Sequence, residues 1–234
     1  MIPSLTRRTV AEFLGSGSLV LAVVGSGIMG ERLAGGNAAI ALLANTIATG
    51  AALVVLILTL GAISGAHLNP VVTLANAIEK NFAWSDVGPY MLAQCTGAVC
   101  GTVVAHIMFG LPLISFSHHA RSGPAQLISE FVATFGLLAV IWGCLRSRSE
   151  TVALAVGAYI TSAYWFTSST SFANPAVTIA RCLSDTFAGI RPRDVPWFIA
   201  AQFLGAIAAT VLFRWLVPAP IENCQEGESR SVGG

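Results

Sequence analysis

Charge is what this sequence has least of: 10% of its 234 residues are Asp, Glu, Lys or Arg, where a soluble domain carries roughly 25%. That shortage excludes an ordinary soluble fold. A net charge of +1, with no acidic or basic block, argues against a nucleic-acid partner. Cysteines are few, and Cys95, Cys100, Cys144, Cys182 and Cys224 have neither zinc spacing nor the pattern of a secreted scaffold. Cys95, Cys100 and Cys144 lie in apolar runs and are expected to be small buried residues. No Ser/His dyad, carboxylate pair or ligand set falls at one depth, so no enzyme, cofactor or metal site is expected.

Apolar residues are what the chain does have, at 55% of the total and a mean hydropathy of +0.75. It reads as an all-α integral membrane protein with room for about six spans of ~20 residues. The runs place them near 9–29, 38–61, 87–109, 126–145, 152–167 and 195–217. Arg7 and Arg8 before the first run mimic a signal peptide, but the run is a full span long and contains Glu12, so it reads as a helix. The organisation is then a short cytoplasmic segment (1–8), one transmembrane domain (9–217) and a polar, disordered tail (218–234).

Two Asn-Pro pairs interrupt the pattern, in Ser64-Gly65-Ala66-His67-Leu68-Asn69-Pro70-Val71-Val72-Thr73 and in Ser171-Phe172-Ala173-Asn174-Pro175-Ala176-Val177-Thr178. Asn before Pro starts a helix, with Asn as its cap and Pro in its first turn. Short half-helices are therefore expected near 69–78 and 174–183, beginning inside the membrane. Matched Pro-broken segments in corresponding halves point to a site at the bilayer midplane.

The halves echo each other elsewhere. Ala11-Glu12-Phe13-Leu14-Gly15 matches Ser129-Glu130-Phe131-Val132-Ala133, and Gln94-Cys95-Thr96-Gly97-Ala98 matches Gln202-Phe203-Leu204-Gly205-Ala206. Repeats of about 9–110 and 126–217 hold three spans each, an odd number, so the second must enter the membrane the other way up. Seven Lys/Arg on one side (Arg7, Arg8, Lys80, Arg146, Arg148, Arg214, Arg230) against five on the other (Arg32, Arg121, Arg181, Arg191, Arg193) lean towards cytoplasmic termini.

The polar residues follow from this frame. Asn69 and Asn174, at two converging helix dipoles, would face the permeant as amide donors while cations are repelled. The loops before them, irregular backbone at membrane depth, must be buried or line a water-filled cavity. Glu12 and Glu130 are intramembrane acids, hence candidates for a proton relay. Their twofold equivalence favours a plainer role for them, and for Gln94 and Gln202: holding the two irregular loops. His67 lies on the first loop as a pore-lining or a structural residue. His118 and His119 fall in a solvated loop, and the recurrent small residues, such as Gly97, Gly101 and Gly205, let helices approach closely.

Taken together, these motifs resemble the aquaporin (major intrinsic protein) family over about residues 9–217. The resemblance implies six tilted helices and two half-helices around one pore per subunit, a homotetramer, and passive flux of water or small uncharged solutes across a bacterial inner membrane. The two Asn-Pro-Ala motifs of that family are here Asn69-Pro70-Val71 and Asn174-Pro175-Ala176. The family's filter arginine, directly after the second motif, is here Val177, and ungapped counting puts the other filter positions on Thr49, Ser162 and Ser171. None of the four is aromatic or charged.

Without a guanidinium, five donors and a fixed charge are gone, and three hydroxyls face an apolar wall. Such a filter should be wide, passing glycerol, other polyols and neutral metalloid acids such as arsenous acid as well as water. In this it resembles the aquaporin S-type branch of aquaglyceroporins, associated with bacterial arsenic resistance. Arg181, one helical turn after Val177, is either a vestibule residue or a snorkelling helix-end arginine. The rival readings are a proton-coupled secondary transporter, which needs a coupling site at Glu12 or Glu130, and a non-conducting protein on the same fold.

Overall fold

The computed structural model describes residues 3–217, and the tail read as 218–234, with Cys224 and Arg230, lies outside the described residues. Among those residues the regular structure is helical: α1 (Leu5–Leu33), α2 (Ala38–Ser64), α3 (Pro70–Ile78), α4 (Trp84–Phe109), α5 (Pro124–Ser147), α6 (Val152–Phe166), α7 (Pro175–Arg181) and α8 (Val195–Leu216). Five of them, α1, α2, α4, α5 and the segment ending in α8, are long and apolar enough to cross a membrane. The remaining span, expected at 152–167, is shorter than the rest, because α6 has 15 residues and follows a 3-10 turn at Ser149–Thr151. At about 1.5 Å per residue it covers ~22 Å, less than a ~30 Å hydrocarbon core.

Helix ends follow cap chemistry. The segment expected to precede the first span is already helical, since Ser4 caps α1 by accepting from the Arg7 N–H at 3.4 Å. Asn37 caps α2 through the Ala39 and Ile40 amides, and Gly65 ends it at φ +84°, a left-handed turn that glycine adopts without a Cβ clash. The half-helices α3 and α7 begin at the prolines as read from sequence, but α7 stops at Arg181, two residues early.

The two halves pack alike: α1 lies on α4 and α5 on α8, while α2 meets α6 across the seam. Glycines set both crossings. A Cβ on Gly97 would collide with the Phe13 carbonyl, one on Gly101 with the Gly17 carbonyl, and one on Gly205 with the Phe131 carbonyl. The core runs between the halves from Leu19, Val20 and Val24 through Val72 and Val177 to Leu138 and Trp142. Large apolar side chains also cover the outside, among them Leu43, Leu58, Leu154, Leu204 and Trp215, as a bilayer requires. Cys100 is exposed on that outer surface and Cys95 and Cys144 are half-buried. The expectation of three buried cysteines thus fails, because lipid accepts a thiol on a helix exterior as readily as a core does.

Candidate functional site

Each pore loop turns back on itself through strained backbone. Ala66 and Leu68 in the first loop, and Thr170, Ser171 and Ala173 in the second, take φ between +46° and +61°. Non-glycine residues adopt this region only at a cost of about 1–2 kcal/mol each, so something must hold them. Glu12 does so in the first loop: Oε1 accepts from Ser64 Oγ at 2.7 Å and the His67 N–H at 2.9 Å, and Oε2 from the Leu68 N–H at 2.7 Å and Gln94 Nε2 at 2.8 Å. Glu130 repeats the arrangement, accepting from the Phe172 N–H at 2.9 Å, the Ala173 N–H at 3.0 Å and Gln202 Nε2 at 2.7 Å.

Each glutamine also donates to a threonine, Gln94 to Thr73 Oγ1 and Gln202 to Thr178 Oγ1, both at 2.9 Å. Those hydroxyls donate in turn to the Asn69 and Asn174 carbonyls, at 3.2 and 2.8 Å. The threonines were not singled out from sequence. The signal was present, because Thr stands four residues after Asn in both motifs, one turn into each half-helix.

Asn69 and Asn174 meet at the centre and lock the halves together. Asn69 Oδ1 accepts from the Val71 N–H at 3.1 Å, and its Nδ2 donates to the Ala173 carbonyl at 2.8 Å. Asn174 Oδ1 accepts from the Ala176 and Val177 amides at 2.9 and 3.3 Å, and its Nδ2 donates to the Leu68 carbonyl at 2.8 Å. An amide nitrogen carries two hydrogens, so each Nδ2 keeps one after the cross-link. Both residues line a cavity of about 250 Å³ between the halves.

The same cavity is lined by Thr49, His67, Ser171, Val177 and Arg181. His67 is fixed by Nδ1 against Thr73 Oγ1 at 3.1 Å and lies edge-on to Phe82. Arg181 is 1% exposed; its Nε donates to the Ala188 carbonyl, and its Cζ sits 3.4 Å over the Phe172 ring. It does not snorkel to the surface.

Ser162 is not brought to the cavity. Its side chain is exposed, with Oγ donating to the Tyr159 carbonyl at 2.7 Å. From α6 the wall receives Val156, Ile160 and Tyr164 instead, and the Tyr164 hydroxyl donates to Thr49 Oγ1 at 3.3 Å. An aromatic therefore stands where the ungapped count put a serine. Helical phase could have shown it: the buried positions of α6 are Ala153, Val156, Gly157, Ile160, Ala163 and Tyr164, a 3–4 spacing that excludes 162.

Charged residues gather at the two ends. Glu79, at the end of α3, pairs with Arg146 at 2.9 Å and Arg214 at 2.6 Å. At the opposite end Arg191 pairs with Asp194 at 3.0 Å, and Arg121 donates to the Gly189 and Ser169 carbonyls at 2.8 and 3.0 Å. Burial lowers the Arg121 pKa from its usual value. Among the described residues no group of His, Cys, Asp and Glu is placed to hold a metal ion.

Comparison with known proteins agrees with this geometry. The family described as Major intrinsic protein matches residues 2–151 and 144–232. Aquaglyceroporin AqpS of Rhizobium meliloti (strain 1021) is 55% identical over 213 residues, 91% of this chain and 91% of that protein. Aquaporin NIP2-3 of Zea mays is 33% identical over 223 residues, 92% of this chain and 69% of that one. Among solved structures, the aquaglyceroporin from Plasmodium falciparum superposes with a TM-score of 0.68 at 21% identity, covering 91% of this chain and 95% of that one, a likeness of fold.

Proposed function

The chain belongs to the major intrinsic protein family, a multi-pass membrane channel for small uncharged solutes and not an enzyme; on that premise we propose that it passes glycerol, other polyols and neutral metalloid acids such as arsenous acid besides water. The observation that carries this is Val177, which lines the cavity with an isopropyl group at the first turn of α7. Thr49 and Ser171 line the same cavity with hydroxyl-bearing side chains, and Asn69 and Asn174 each keep one amide hydrogen for the solute. A lining that combines these hydroxyls and amides with Val72, Ile160 and Val177 fits compact molecules that carry several hydroxyls and some apolar surface.

His67 lines the cavity near α3 and Arg181 the part near the end of α7. Glu12, Glu130, Gln94 and Gln202 act as loop support, a role that the twofold-related hydrogen bonds from loop amides and glutamines to the two carboxylates favour over proton relay. We further assign the protein to the bacterial inner membrane as a homotetramer with cytoplasmic termini; the gathering of Arg146 and Arg214 around Glu79 at one end supports that orientation.

Stopped-flow light scattering on proteoliposomes tests the solute class. In wild type, glycerol and arsenous acid should equilibrate well above empty vesicles. Val177→Arg should lower both at least tenfold relative to water. Equal solute-to-water ratios in the two proteins would remove Val177 as the determinant.

A further inference from the structure

Among the buried polar atoms with no partner in the described residues are Ser171 Oγ and Arg181 Nη1. Both residues line the cavity. A buried donor left unpaired costs about 1–3 kcal/mol, and a charged one more, yet Arg181 is held in that state at 1% exposure. Its one guanidinium hydrogen bond among the described residues uses Nε, to the Ala188 carbonyl, and the Phe172 ring supports its face with Cζ 3.4 Å from the centroid. These contacts set where the guanidinium lies and leave Nη1 unused.

The ring itself is pinned from a second direction. Arg121 Cζ lies 5.0 Å from the Phe172 centroid, while its Nη1 donates to the Ser169 carbonyl at 3.0 Å in the same loop. Pseudo-symmetry supplies the contrast. The seventh residue after each motif Asn lines the cavity, Asn76 after Asn69 and Arg181 after Asn174. Asn76 spends its amide on the Val72 carbonyl at 2.9 Å, so of this pseudo-symmetric pair only Arg181 carries an unpaired charged donor among the described residues.

We infer that Arg181 supplies, about 6 Å beyond Val177 along α7, the guanidinium that position 177 lacks, and that its Nη1 and the Ser171 hydroxyl form a docking position for neutral polyhydroxylated solutes. The inference rests on the channel reading above. A solute oxygen accepts from Nη1, and a second hydroxyl donates to or accepts from Ser171 Oγ, so two orphaned atoms are satisfied by one molecule that water matches less well. The fixed positive charge also repels cations at the same point, reinforcing the half-helix dipoles.

Wild type, Ser171→Ala, Arg181→Lys and Arg181→Gln in proteoliposomes provide the test, each first checked for monodispersity and thermal unfolding. Stopped flow reads glycerol, arsenous acid and water; an internal pH dye under a valinomycin-imposed potential reads proton leak. Ser171→Ala and Arg181→Lys should each lower the solute-to-water ratio at least threefold, with the leak of Arg181→Lys staying near wild type. Arg181→Gln should raise the leak at least tenfold. Folded variants with wild-type ratios and wild-type leak overturn the inference. If Arg181→Gln does not fold, the ratios of the other two decide it. A wild type that conducts nothing above empty vesicles overturns the channel reading instead.

Discussion

Tyr164 and Ser162 stand two residues apart on α6 and face different surroundings, one in the cavity wall and one on the exterior. The Tyr164 hydroxyl occupies Thr49 Oγ1 at 3.3 Å, so Tyr164→Phe frees a hydroxyl in the lumen. Its expected effect is about a two- to threefold shift in the glycerol-to-water ratio, the size of one weak hydrogen bond of ~0.5 kcal/mol. Ser162→Ala should leave that ratio unchanged in the same stopped-flow assay, and the reverse outcome would return Ser162 to the wall. Glu130 is the opposite kind of residue, accepting from two loop amides and one glutamine while fully buried. Glu130→Ala orphans those donors at about 1–3 kcal/mol each and releases a loop with Thr170, Ser171 and Ala173 at positive φ. Thermal unfolding should fall steeply and all fluxes should drop together; a selective loss of pH-driven uptake with intact stability would revive the coupled-transport reading.

At the scale of elements, the crossings of α1 with α4 and α5 with α8 place Glu12 beside Gln94 and Glu130 beside Gln202. Close approach makes this possible, because Gly101 faces the Gly17 carbonyl with no room for a methyl group. A clash with backbone cannot be relieved by a rotamer change. Gly101→Ala should therefore lower the unfolding temperature and solute flux together. Gly61, in α2, has open space around its Cβ direction, so Gly61→Ala should be neutral or stabilise by up to about 1 kcal/mol through helix propensity. Differential scanning fluorimetry of the pair checks both, and equal effects would deny that backbone contact sets the crossing. The half-helices depend on the same elements, since neither 9 nor 7 residues would hold a helix alone.

For the molecule as a whole, passive conduction through one central cavity requires flux to follow the solute gradient alone. An imposed pH gradient of two units should leave glycerol equilibration unchanged, and acceleration in one direction would contradict the channel reading. Much of this architecture was legible in the chain. Apolar runs gave the spans to within a few residues, Asn-Pro marked where both half-helices begin, and the repeated Glu and Gln positions revealed the inverted halves. These are local or periodic properties, carried by caps, hydropathy and spacing. What tertiary structure decided was which side chains share the lumen. Counting from Asn174 assumed a fixed loop length and chose Ser162, whereas the rotation of α6 around its buried face turned Tyr164 inward. Arg181 is open between surface and pore in the sequence alone, and the Phe172 ring and the Ala188 carbonyl, both outside its own helix, give it a buried place. Sequence by itself determined the membrane fold, its repeat and its central Asn pair, because those follow from short-range rules; the composition of the filter depends on helix phase and on contacts between segments, which exist only once the halves close on each other.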